Sequence, residues 1–215
     1  MSLLKTLSIA ALLSVVSLGF AKPSQAALIT FDEVVIGETS FSFDGDSDGI
    51  ADILFSTTDP FGFNTTGPGP NQVFVDEPGL EGTSLLNPDL RVDFLNGAVD
   101  VIQFGFALNS FSEGADTFTT FNLFNSSGTL LASVQEFGRF SGPAGFPEGQ
   151  IQVSFPGVAA YGTFDFSSAS GRYIIDNFEG TLGSTENVTP VPEPFTGFAL
   201  VFTVGLGGLL QRKRR

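Results

Sequence analysis

The sequence predicts an all-β chain: an antiparallel β-sandwich of jelly-roll type, flanked by an N-terminal signal peptide and a short C-terminal transmembrane helix. Three observations lead there. Short segments of alternating apolar and polar residues recur through the body, separated by Gly, Pro, Asn and Asp. No stretch of the body carries an apolar stripe at helical spacing. Phe occurs 25 times and Trp never, so the expected core is a layer of Phe rings between two sheets.

The elements follow in order along the chain. Residues 1–26 have the three parts of a secretory leader: a basic start ending at Lys5, an apolar run from Leu7 to Phe20, and Ser24-Gln25-Ala26 with small residues before a cut after Ala26, Ala27 being the neighbouring choice. Signal peptidase is the partner this implies. The body, 27–182, then offers the strands LITFDEVV, TSFSF, IADILFST, QVFVDE, LRVDFL, VDVIQFGFAL, TFTTFNLF, TLLASVQE, QIQVSF, AAYGTFDF and RYIIDNFE. In VDVIQFGFAL, Ile102, Phe104, Phe106 and Leu108 share one face, opposite Val101, Gln103, Gly105 and Ala107. Asn125-Ser126-Ser127-Gly128 reads as a hairpin turn. The tract 67–86, dense in Gly and Pro, predicts long loops around one short strand, and 183–190 reads as a linker.

Charge and composition narrow the chemistry. Between Ala27 and Pro194 all 23 acidic residues of the chain face only Arg91, Arg139 and Arg172, with no Lys. Such a surface repels phosphate backbones, so nucleic acid is not an expected partner and divalent cations are. The chain has no Cys and no His. Disulfide staples, ordinary zinc and copper sites, and Ser-His-Asp or Cys-His catalysis are therefore excluded. The absence of body Lys removes Schiff-base chemistry as well, leaving carboxylates as the only catalytic groups.

One local pattern is specific. Asp44-Gly45-Asp46-Ser47-Asp48-Gly49-Ile50-Ala51-Asp52 places alternating carboxylates on a tight turn, and calcium takes six to eight oxygens at about 2.3–2.6 Å. Asp44, Asp46 and Asp48 would supply side chains, Ile50 its carbonyl, and Asp52 a direct or water-mediated contact. The pattern resembles the nine-residue calcium loop of dockerin, thrombospondin type 3 and integrin-type repeats. It departs from an EF-hand, because Phe55 stands where the bidentate Glu would be and the flanks read as strands. A solvated acidic turn is the alternative reading.

The C-terminal signal, 191–215, begins with Pro192-Glu193-Pro194, continues as an apolar helix over 195–210, and ends in a basic tail, 211–215, with Arg212, Lys213, Arg214 and Arg215. Sixteen residues of helix rise about 24 Å against a hydrocarbon core of about 30 Å, a marginal span. The basic cluster would hold that end in the cytoplasm and the body outside. This order of parts resembles the PEP-CTERM sorting signal of Gram-negative and cyanobacterial envelope proteins. That resemblance implies an inner-membrane intermediate, recognition by an exosortase, removal of the tail, and release or attachment at the cell surface; an ordinary single-span anchor is the alternative.

Two further stretches carry a resemblance. Tyr173-Ile174-Ile175-Asp176-Asn177-Phe178 is similar to the closing strand of many PEP-CTERM ectodomains and of carbohydrate-binding jelly rolls, and Ile29-Thr30-Phe31-Asp32 to their opening strand. In such sandwiches the first and last strands can share a calcium ion, which implies a second candidate set, Asp32, Glu33 and Asp176. The functional expectation is an exported surface or matrix protein, calcium-stabilised and not an enzyme, used for adhesion or association with extracellular polysaccharide. The alternative is a secreted glycoside hydrolase or lyase working through paired carboxylates.

Overall fold

The computed structural model describes residues 25–69, 71–83, 89–143 and 145–183. The leader through residue 24, the linker beyond residue 183 and the C-terminal signal lie outside the described residues. Within them the chain forms eleven strands, all paired antiparallel, and no helix long and apolar enough to cross a membrane. The strands are β1 (Gln25–Ile29), β2 (Ser40–Phe43), β3 (Ile53–Thr57), β4 (Phe63–Asn64), β5 (Leu80–Gly82), β6 (Leu90–Leu108), β7 (Phe118–Phe124), β8 (Leu130–Phe137), β9 (Glu148–Ser154), β10 (Ala159–Ser167) and β11 (Tyr173–Leu182).

The 19-residue β6 organises the molecule. Its first part pairs with β3 (Phe94 opposite Ile53) and β10 (Leu90 opposite Phe164), and its second part with β11 (Leu108 opposite Tyr173) and β9 (Ala107 opposite Glu148). One layer is thus β2-β3-β6-β10-β7-β8, and the other is β1 and β5 end to end on β11, with β4 on the far edge of β5, then β6 and β9. The crossing lies where Gly97 and Asp100 take φ of +79° and +67°. That bend lets one strand serve both layers, so the expected separate strands LRVDFL and VDVIQFGFAL are one.

Phe rings fill the space between the layers. Phe104 of β6 meets Phe121 of β7 at 5.1 Å and Phe164 of β10 at 5.2 Å, both edge-on, and Phe178 of β11 meets Phe55 of β3 at 5.3 Å. Ile102, Phe104, Phe106 and Leu108 are all fully buried, as the alternation predicts. Each such side chain contributes about 1.5–3 kcal/mol on burial, and this packing replaces the covalent staples the chain lacks. The Asn125 turn also forms: its Oδ1 accepts from Ser127 N at 3.0 Å and Thr129 N at 2.9 Å, and Gly128 takes φ +79°.

QVFVDE, expected as a strand at 72–77, is instead an irregular strap lying across the outer face of the second layer. Three features hold it there. Gly105 has no side chain, and a Cβ at that position would fall 1.8 Å from the carbonyl oxygen of Phe74. The Glu148 carboxylate accepts from Val73 N at 2.8 and 2.9 Å and from Phe74 N at 2.9 Å. Asp176 Oδ2 accepts from Asp76 N at 2.8 Å. Strap N–H groups that a neighbouring strand would have satisfied are taken by two buried carboxylates. The short strand of this tract is β5, beside β11, rather than 72–77.

Candidate functional site

The β2–β3 hairpin presents the acidic loop. Asp44, Asp46 and Asp48 each offer a carboxylate oxygen within 4.8 Å of the other two. Two oxygens bound to one calcium ion lie at most about 5 Å apart, so the spacing fits a shared ion. The chain turns through Ser47 at φ +57° and Gly49 at φ +87°. Gly49 N donates to Asp44 Oδ2 at 2.7 Å and Ile50 N to Asp48 Oδ1 at 2.8 Å, which curls the backbone around the carboxylates. The Ile50 side chain is exposed, as a residue that contributes only its carbonyl can be.

Asp52 lies outside this group. It is 9% exposed, with Oδ2 accepting from Gly45 N at 2.9 Å and Oδ1 from the Asn96 side chain at 2.8 Å. Its backbone pairs with Phe43 and Leu95. Asp52 therefore pins the base of the loop to β6, and the Asn96 contact has no signature in the local sequence.

Of the second set, Asp176 is 2% exposed and Asp32 and Glu33 are exposed. Burial, reinforced by the charges of Asp76 and Asp32, pushes the Asp176 carboxyl up to about 6, against the pull of backbone N–H bonds from Asp76 and Asn177. Its Oδ1 is buried with no hydrogen-bond partner. Asp32 accepts from the Thr30 hydroxyl at 2.7 Å. The residue bonded directly to Asp176 is Asp76, through its backbone N–H; it belongs to the strap and was not among the sequence candidates. The sorting residues Pro192, Glu193 and Pro194 and the basic residues Arg212, Lys213, Arg214 and Arg215 lie outside the described residues.

No family model and no curated protein matches the chain. Among solved structures, it is similar to the K2 cleaved adhesin domain of Lys-gingipain, with 16% identity over 74% of this chain and 98% of that one, at a TM-score of 0.42. The K3 cleaved adhesin domain of Lys-gingipain from Porphyromonas gingivalis W83 gives 15% identity over 74% and 100%, at 0.39. A carbohydrate-binding module described for specific mannan recognition gives 12% identity over 75% and 100%, at 0.37. Likeness at this level carries neither a ligand nor an activity across to this chain.

Proposed function

We propose that this chain is an exported, non-catalytic β-sandwich of jelly-roll type, stabilised by calcium at Asp44, Asp46 and Asp48, that associates with extracellular polysaccharide after sorting by an exosortase. The observation that carries the calcium part is the convergence of three carboxylates on a hairpin loop whose N–H groups orient them. Calcium would neutralise that cluster and clamp the β2–β3 connection in a fold with no disulfide. Export and sorting rest on the residue patterns at the two ends of the chain, and polysaccharide association on the resemblance of Ile29–Asp32 and Tyr173–Phe178 to strands of carbohydrate-binding sandwiches.

The non-catalytic reading is supported by what the buried carboxylates do. Asp176, whose raised proton affinity would suit a general acid, sits under the strap and bonds Asp76 N, and Glu148 is 1% exposed with its oxygens on Val73 and Phe74. Retention of the protein on a panel of bacterial polysaccharides, with and without EDTA, tests the proposal. Calcium-dependent retention without released sugar is expected. Release of oligosaccharide would establish the hydrolase or lyase alternative, and surface protein still carrying Arg212 to Arg215 would overturn exosortase processing.

A further inference from the structure

The geometry points to a saccharide subsite at the head of β11: an open cleft of about 270 Å³ built by Arg172, Glu81, Asn109, Phe146 and Ile174, which takes one neutral, hydroxyl-rich ring. This rests on the polysaccharide reading and locates where such a chain would be held. The cleft lies on the outer face of the second layer, between the segment 66–69 that precedes the strap and the loop carrying Phe146. Its volume falls just under the range of about 300–1,000 Å³ usual for small-molecule sites, room for a single ring and not for a folded oligomer.

The wall is built before any ligand arrives. Arg172 pairs with Glu81, which is 4% exposed, and the second Glu81 oxygen accepts from the Asn64 amide at 2.6 Å. Asn109 N donates to Arg172 O at 3.0 Å, which ties the two backbones together at the rim of the cleft. Arg172 Nε remains buried with no partner. The Arg172 side chain as a whole is 32% exposed, so it is its outer guanidinium nitrogens that a ligand hydroxyl oxygen can reach. Ile174 and Ala107 form an apolar floor, and the half-buried Phe146 ring flanks it. Polar atoms on one side and hydrocarbon on the other match the two faces of a sugar ring.

Charge selects among ligands. Glu81 already balances Arg172, and the body around them holds two further Arg against the remaining acidic residues. A phosphate, sulfate or uronate would meet that negative field with no spare cation, and a cation would find Glu81 engaged on both oxygens. A neutral hexose needs only the donors and acceptors present.

The test follows backbone amide resonances of the exported protein during titration with neutral methyl hexosides, with inorganic phosphate and glucuronate as anionic probes, alongside retention on polysaccharide. Saturable shifts confined to Gly67, Gly69, Asn109, Arg172 and their neighbours are expected with a neutral hexoside alone. Asn109→Ala and Phe146→Ala should each weaken them about tenfold while the amide resonances away from the cleft keep the folded pattern. Silence of these amides at saturating sugar, shifts centred elsewhere, or an equal response to phosphate overturns the subsite. If polysaccharide retention persists while the cleft stays silent, the subsite falls and the association reading stands. Cleft shifts with no retained polymer give the reverse.

Discussion

The carbonyl oxygen of Phe74 rests on Gly105 of β6, closer than any side chain would permit. Gly105→Ala should therefore lift the strap, expose the Glu148 and Asp176 carboxylates and cost about 1–3 kcal/mol or more, as overpacking does. Urea denaturation reads the loss, and faster amide exchange at Val73, Phe74 and Asp76 locates it. A variant with wild-type stability and exchange would show that the strap does not depend on that contact.

Glu148→Gln keeps the size of the side chain but replaces a charged acceptor of the Val73 and Phe74 N–H groups by a neutral amide, one end of which is a donor. A loss of about 1.5–3 kcal/mol is expected in urea titrations at neutral pH. A difference below the error of the titration would show that shape alone seats the strap.

Asp176 gives a pH dependence of definite sign. Its carboxyl takes up its proton at about 6 in the folded chain against 3.8 for the free group, so between those values the folded state binds more protons than the unfolded one. The stabilising contribution is complete below about pH 4 and is lost as pH rises through about 6. The difference in stability between wild type and Asp176→Asn, measured across this window, should follow that curve. A difference that is flat from pH 4 to pH 7 would contradict it.

The two ends of the acidic loop should separate by experiment. Asp46→Ala should abolish the calcium-dependent rise in melting temperature, which corresponds to about 2.7 kcal/mol when free ion exceeds the dissociation constant a hundredfold. Asp52→Ala should lower stability in EDTA as well, because Gly45 N and the Asn96 amide lose their acceptor. Calorimetry of both variants with calcium and with EDTA checks this, and equal behaviour of the two would make Asp52 a ligand of the same rank as Asp46.

Periodicity revealed most of the layer structure, because a strand with one face on a Phe core must alternate. It misled where backbone conformation rather than side-chain pattern decides. Asn96-Gly97 carries an ordinary turn signal, and the turn is real in the sense that Gly97 has φ +79°, yet it bends β6 between layers instead of ending it. Val73 to Asp76 alternates like a strand, but the groups that capture its N–H donors, Glu148 and Asp176, are 75 and 100 residues away. The acidic triad was legible because its residues are neighbours in sequence and the loop geometry is local. Asn96, Asp76 and the Glu81–Arg172 pair were not, since each depends on strand register that no local stretch encodes.

The course of β11 has a mechanical meaning. Arg172, at one end, lines the cleft, and Leu182, at the other, leads into residue 183 and the tail. If the proposed glycan were held at the cleft and the C-terminus were tethered, a pull between them would be directed along the whole strand. β11 is paired on both edges, with β6 on one side and with β1 and β5 on the other. Those hydrogen bonds lie across the line of force, so they must yield together in shear instead of opening one by one. Such a load would meet the high barrier of a rupture event, and the lifetime of that proposed connection under flow would be set by the unfolding rate.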